Sequence, residues 1–524
     1  MRWRVSFPLL LIAALVLPMR ARADAPTPAS SPLVDVLFTR PDGLSGAGRI
    51  VLAWLTRASW HGLELRPDPL IQRYLDTRAA PDAVDAPTQA DVERVLADGL
   101  ERLVAELPPA PRTEPVLEDP RHHFYLSPDV TWRDALARAA APEAVAAARK
   151  AALDGSLDRW LSALAPQHPQ YGRLVAAAER YAQLCADGDW PAVSLPKNEK
   201  RAAASEVALQ FQTRLLREGY YRPEGDAPSG IWDDATRAAL VVFRETHQIA
   251  DKGVADKNLV DALNVSCPDR LRTLGLNARR WRVSAWTQEP TRVEVNLAGQ
   301  TLRYYRANAL VMTQRTIVGS TNWYFDPDLE RRLFVHASPI LTDHITQIIT
   351  DPVWAVPPRI ARNEIDQKLL KDPTYLEQHH FRVVPVNGGL KYVQEPGPWN
   401  ALGQIKILFP NSEDVYLHDT PKRGAFKLAV RALSHGCVRV QNAVDFGLAL
   451  IAADAEAAGR PFDVASVRAG IGHSGSRTYD LTSAVPVFLE YYTASVDEAG
   501  TVHFHPDIYA YDAETFGGTS TSRR

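Results

Sequence analysis

Cysteine is scarce in this 524-residue chain: Cys185, Cys267 and Cys437 are its only three. No C-x-x-C pair occurs and no second cysteine lies near Cys437, which weighs against a structural zinc site. An odd count in an exported protein leaves at least one free thiol, and Cys437 is the candidate. Cys185 and Cys267 could pair in an oxidising compartment, but sequence alone does not give their separation. A charge excess is also missing. The net charge of −3, from 59 Lys and Arg against 62 Asp and Glu, gives no electrostatic case for nucleic acid. Long apolar runs are absent after the first, Val5–Leu17, which Ser6 and Pro8 interrupt. That run is short for a membrane span, which needs about 20 residues. Arg2 and Arg4 precede it, and Ala21-Arg22-Ala23 offers a small-x-small cleavage site. The segment 1–23 therefore reads as a cleaved signal peptide. No cysteine stands at the cleavage site for lipidation. The mature chain is expected to be soluble and extracytoplasmic, most simply periplasmic, with no integral membrane segment.

What is present is concentrated in one stretch. Ser434-His435-Gly436-Cys437-Val438-Arg439 follows Tyr416-Leu417-His418-Asp419-Thr420, with fifteen residues between His418 and Ser434. A thiol becomes a strong nucleophile when a nearby imidazole takes its proton and local dipoles hold the thiolate. Glycine before the nucleophile lets the backbone take φ > 0 or approach a substrate closely. The physical reading is a Cys–His acyl-transfer enzyme working through a thioester. Zinc ligation by two His, an Asp and a Cys, or inert packing of a small thiol, are the alternatives.

The same string resembles the signature of the bacterial cell-wall L,D-transpeptidases. In that family a His precedes Ser/Thr-His-Gly-Cys by some fifteen residues, and a small apolar residue and Arg or Asn follow. The resemblance implies roles residue by residue. Cys437 is the nucleophile and His418 the general base. The backbone carbonyl of Asp419 orients the second ring nitrogen of His418, and the Asp419 side chain adds to it. Backbone N–H groups of His435, Gly436 and Cys437 form the oxyanion hole, and the His435 side chain is the competing base. Arg439 binds a substrate carboxylate, or pairs structurally. Tyr416 and Ser434 line or brace the site, and Trp354 joins the substrate-binding set.

The donor implied is the peptidoglycan tetrapeptide stem. The reaction expels D-Ala and ends in a 3→3 cross-link, with no metal or organic cofactor and with acylation by carbapenems. Water as acceptor would make an L,D-carboxypeptidase. A lipoprotein acceptor would make a wall-protein-attaching enzyme. From another class, the chain could be a non-catalytic peptidoglycan-binding scaffold. Partners would be peptidoglycan stem peptides and glycan, with cell-wall synthesis proteins as a further class.

The expected fold is multidomain α+β. A disordered leader over 24–32 precedes a helical scaffold domain over 33–203. There, Asp91–Leu107 and the stripe Tyr171, Leu174, Val175, Ala178, Tyr181 and Leu184 show helical spacing. The pairs His122-His123 and His379-His380 are assigned to solvated surface or packing. Residues 204–265 form a three-helix pattern, capped at Asp233 or Asp234 and at Asp256, and closed after the first helix by Gly219. Its string Leu209-Gln210, Gly219-Tyr220, Gly230-Ile231-Trp232 and Asp251-Lys252-Gly253 resembles a peptidoglycan-binding domain. A connector follows over 266–291.

From Arg292 the periodicity turns strand-like, and a mostly β catalytic domain is expected over 292–512. Asp351-Pro352-Val353-Trp354 resembles a family segment before an inserted helical lid, here about 359–385, with Asp372-Pro373 as a breaker. The stretch between Gly319 and Asp351 is longer than the family pattern. Val485–Tyr492 and Val502–Phe504 around Asp497–Gly500 read as a hairpin closing the sheet. Residues 513–524 are expected to be a disordered tail.

Overall fold

The computed structural model describes residues 36–79, 87–110, 139–195, 205–252, 255–284, 289–326, 331–386 and 389–515. The expected signal peptide and leader, and His122-His123, lie outside them. The N-terminal region is helical and the C-terminal region is rich in strands.

The C-terminal region is organised by a nine-stranded sheet. Its strands are β1 (Arg292–Asn296), β2 (Thr301–Arg306), β3 (Ala309–Gly319), β4 (Leu341–Thr350), β5 (Ile405–Leu408), β6 (Leu417–His418), β7 (Ala432–Ser434), β8 (Val438–Val440) and β9 (Arg477–Glu490). They are ordered β7-β3-β8-β6-β5-β4-β9-β1-β2. β3 also pairs with β2 over Ala309–Arg315, so the sheet closes into a barrel without free edges on that side. Val293, Val295, Leu302, Ile348, Ile407, Leu417 and Val438 fill one contiguous core. The helix Ala443–Ala457 packs Phe446, Leu450 and Ile451 onto it. Gly447 permits that approach, because a Cβ there would lie 2.4 Å from Ile405 Cδ1.

The segment between β4 and β5 forms an outlying layer. Short helical turns run from Pro358 to Leu369 and over Tyr375–Gln378. A hairpin of Phe381–Val386 with Gly389–Gln394 pairs back onto Trp354–Ala355. The unusually long stretch after Gly319 is a second small hairpin, Trp323–Asp326 with Arg331–Phe334.

Two expectations change. The connector over 266–291 holds a 17-residue helix, Cys267–Val283, capped by the Ser266 hydroxyl and buried along most of its length. Its four buried arginines, Arg270, Arg279, Arg280 and Arg282, hide its apolar stripe from a periodicity reading. Arg279 pairs with Glu64 at 3.1 Å, Arg280 with Asp512 at 2.7 Å, and Arg282 donates to the Glu106 carbonyl. The helix thus fastens the N-terminal helices to the barrel.

The hairpin Ala494–Val496 with Val502–Phe504 pairs only with itself among the described strands and does not close the sheet. It packs beside Tyr181, Leu274 and Trp281 of the helices Pro169–Leu184 and Cys267–Val283. In addition, the first residues of the expected tail form a short helix, Tyr511–Thr515.

The stripe Asp91–Leu107 is the helix Gln89–Glu106, begun by a Thr88–Asp91 capping box. Cys185 and Cys267 form a disulfide joining the ends of two helices. Helices Glu206–Arg217, Asp234–Thr246 and Lys257–Leu263 enclose Phe211, Leu215, Phe243 and Leu259. Asp233 and Asp256 cap the second and third.

Candidate active site

Strand alternation builds the site. β6 and β8 run parallel, with Leu417 opposite Val438 and His418 opposite Arg439. β5 adds Lys406 opposite His418. Leu417, Val438 and Ile407 point into the core, so their neighbours must share the other face. Lys406, His418 and Arg439 therefore form one row across three strands. Tyr416 and Cys437 stand next to it, joined by the Val438 N–H donating to the Tyr416 carbonyl at 3.1 Å.

Cys437 is the one free cysteine and is partly exposed. It follows Gly436, whose φ of +119° is a backbone state that side chains disfavour. The loop is braced from within and below. Ser434 Oγ donates to the Cys437 carbonyl at 2.6 Å and accepts from the Gly436 N–H at 3.2 Å. Ser338 Oγ donates to the Gly436 carbonyl at 2.6 Å and accepts from the Gly319 N–H at 2.9 Å. Of the three N–H groups expected in an oxyanion hole, that of Gly436 is thus occupied by Ser434. Those of His435 and Cys437 have no partner among the described residues.

Burial pushes the Cys437 thiol up, while hydrogen bonds from Tyr416 and the charges of Lys406 and Arg439 act in the opposite sense. Trp354 is hydrogen-bonded to Tyr416, so it supports the group that touches the thiol. Lys406 Nζ lies 4.0 Å over the Tyr416 ring.

His418 is 4% exposed. Its Nδ1 lies 2.5 Å from the Asp419 carbonyl oxygen, and the Leu402 carbonyl also faces the ring. Burial, with Arg439 and Lys406, pushes its pKa down to about 3, so the imidazole is neutral at physiological pH. No hydrogen bond joins His418 to Cys437 among the described residues. The Asp419 side chain turns away from the ring, accepting from the Gln404 N–H at 3.0 Å and from Arg423 at 3.2 Å. Arg439 has a buried Nε with no partner among the described residues.

His435 lies on the other side of the loop. Its Nε2 is 2.6 Å from Glu364 Oε1, and its ring is 4.5 Å from that of His336. Sequence reading missed Glu364, His336, Ser338 and Lys406. Only Lys406 left a signal, as a lone lysine between the buried Ile405 and Ile407.

Residues 290–446 match the family model for the L,D-transpeptidase catalytic domain, and residues 34–177 match a Scaffold domain. Residues 290–446 are an L,D-transpeptidase catalytic domain. A curated Haemophilus influenzae protein, named provisionally as an L,D-transpeptidase, is 29% identical over 257 residues. The match covers 46% of this chain and 48% of that protein, so the chain spans about half the length of its relative. Two solved L,D-transpeptidases are also similar. That from Xylanimonas cellulosilytica shows 16% identity and a TM-score of 0.19, covering 57% of this chain and 98% of its own. That from Mycobacterium smegmatis shows 12% identity and a TM-score of 0.19, covering 38% and 58%. No described helix of the chain is long and apolar enough to cross a membrane. The polar row therefore belongs to the L,D-transpeptidase domain, and both halves of its motif, 416–420 and 434–439, fall inside the matched span.

Proposed function

We propose that the protein is a peptidoglycan L,D-transpeptidase forming 3→3 cross-links through a Cys437 thioester. The observation that carries this is the single face shared by Cys437, Tyr416, His418 and Arg439 within the matched domain. Cys437 Sγ attacks the carbonyl on the L-centre of the third-position diamino acid of a tetrapeptide donor. Its proton passes to His418 and then to the amine of the departing D-Ala. A neutral, buried imidazole suits that exchange. The distance from thiol to base closes as the donor seats, since such contacts commonly tighten only in the complex.

The N–H groups of His435 and Cys437, which have no partner among the described residues, receive the oxyanion, a term that usually carries the largest share of catalysis. Arg439, whose Nε has no partner among the described residues, takes a donor carboxylate. An acceptor amine on a second stem then resolves the thioester. The turns over 359–385 act as a lid beside the site, and 204–265 acts as a wall-binding unit. The disulfide accords with a periplasmic protein released from a cleaved signal peptide.

The test is incubation of the mature protein and a Cys437→Ala control with purified disaccharide-tetrapeptide, read by mass spectrometry. A dimer lacking one D-Ala, absent from the control, is expected. Monomer shortened by D-Ala alone would mean a carboxypeptidase. No reaction, with Cys437 also inert to a carbapenem, would favour the binding scaffold.

A further inference from the structure

Two imidazoles belong to the motif around Cys437, and they differ in burial and in partners. His418 is buried, and its ring nitrogens face the carbonyls of Asp419 and Leu402. The His435 side chain is 38% exposed and lies against a carboxylate. A carboxylate accepting from Nε2–H fixes the tautomer and leaves Nδ1 with its lone pair. That Nδ1 has no hydrogen-bond partner among the described residues.

The surroundings keep the pair distinct. His336, the neighbouring ring, is held neutral, because burial, His435 and Arg359 push its pKa down to about 4. Arg359 is engaged with the Val335 carbonyl at 3.1 Å. Glu364 is carried by a one-turn π-helix, Ala361–Ile365, a geometry frequent at functional sites. The buried Ile365 anchors that turn, and Tyr392 donates to Asp366 just beyond it at 2.7 Å.

We propose that His435, oriented by Glu364, is the general base for the acceptor amine in the second half-reaction, while His418 serves the first. The inference rests on the acyl-transfer reading above. The acceptor enters as the free amine. Its nitrogen attacks the thioester carbonyl, the C–N bond forms, and the C–S pair returns to Cys437 Sγ. The surplus N–H proton passes to His435 Nδ1, and Glu364 stabilises the imidazolium. That proton then reaches the thiolate, which restores the resting enzyme. His435 touches the reacting amine, and Glu364 is a positioning residue acting through it.

The experiment separates the two half-reactions in the full-length mature protein. Glu364→Gln is acylated with disaccharide-tetrapeptide, D-Ala release is timed, and acceptor is then added with rapid quenching across a pH series. Release is expected within about threefold of the parent, and transfer to the amine about 100-fold slower with a changed rate–pH profile. His435→Gln should slow transfer comparably, and the double variant should add little. Equal slowing of both steps with an unchanged pH profile would reduce Glu364 to a structural tether and overturn the inference. Parent-like transfer in Glu364→Gln would overturn it too. A parent enzyme that forms no acyl-enzyme at all would instead sink the transpeptidase reading.

Discussion

The polar row on β6 and β8 and the arginine-bearing helix Cys267–Val283 hold charged groups below the surface in opposite ways. In the row, the partners are set by strand register, one residue across and two along, and Arg439 Nε still has no partner among the described residues. In the helix, the arginines reach segments far away in the chain: Glu64, Glu106, Thr493 and Asp512. A buried polar atom without a partner costs stability, and in the row that atom shares a face with Cys437, where a ligand can complete it. The helix also buries Nε of Arg270 and Arg279 without a partner among the described residues, but its long-range ion pairs serve assembly. If this contrast holds, changes in the row should cost rate with little loss of stability, and changes in the helix should cost stability with intact chemistry.

The largest effect is expected at His418. His418→Gln should lower acylation by about 10²- to 10⁴-fold, measured as D-Ala release or carbapenem adduct formation, with a melting temperature close to the parent's. A melting loss matching the rate loss would break the contrast. Arg280→Ala should act the other way. It strands Asp512, which the arginine pairs at 2.7 Å, beside Asp507, whose burial and proximity to Asp512 already push its pKa up to about 7. Removing one partner of a buried pair costs about 3–5 kcal/mol, to be read by denaturant unfolding. The acylation rate of the folded fraction should remain. Opening the disulfide by Cys185→Ser should cost about 2–5 kcal/mol, again without touching the rate. A parent-like unfolding midpoint would show that the helix is fastened by its arginines alone.

The same contrast explains what was legible. The spacing of His418 to Ser434-His435-Gly436-Cys437 lies within one short stretch of chain, so the proposed site could be read from that stretch alone. The capped helices could be read for the same reason. Glu364, Ser338 and the arginine helix depend on contacts across the chain, and no local period reports those. Arginines in place of leucines make Cys267–Val283 look solvated, although its neighbours bury it. The hairpin Ala494–Phe504 has the pattern of a barrel strand pair, but the aromatic surface of two helices receives it instead. Asp419 shows the limit within the motif itself, where the backbone carbonyl meets His418 while the side chain serves Gln404 and Arg423.

Ser338 lies where the two regimes meet, and its expected effect is the smallest. Its hydroxyl holds the Gly436 carbonyl, and its N–H donates to Tyr509 Oη at 3.1 Å. Tyr509 N–H in turn donates to Tyr491 Oη at 3.0 Å, and Tyr491 donates to Asp507 at 2.8 Å, next to the Arg280–Asp512 pair. Ser338→Ala deletes one donor and one acceptor in a fully buried position. It should cost about 1–3 kcal/mol of stability. It should also slow acylation by about tenfold, because the N–H of Cys437 follows directly from the carbonyl that Ser338 anchors. A stability loss with an unchanged acylation rate would place Ser338 wholly with the interface, and the chain from Arg280 to Gly436 would then carry packing alone. A loss in both would show that the fastening helix and the Gly436–Cys437 turn are parts of one hydrogen-bonded structure.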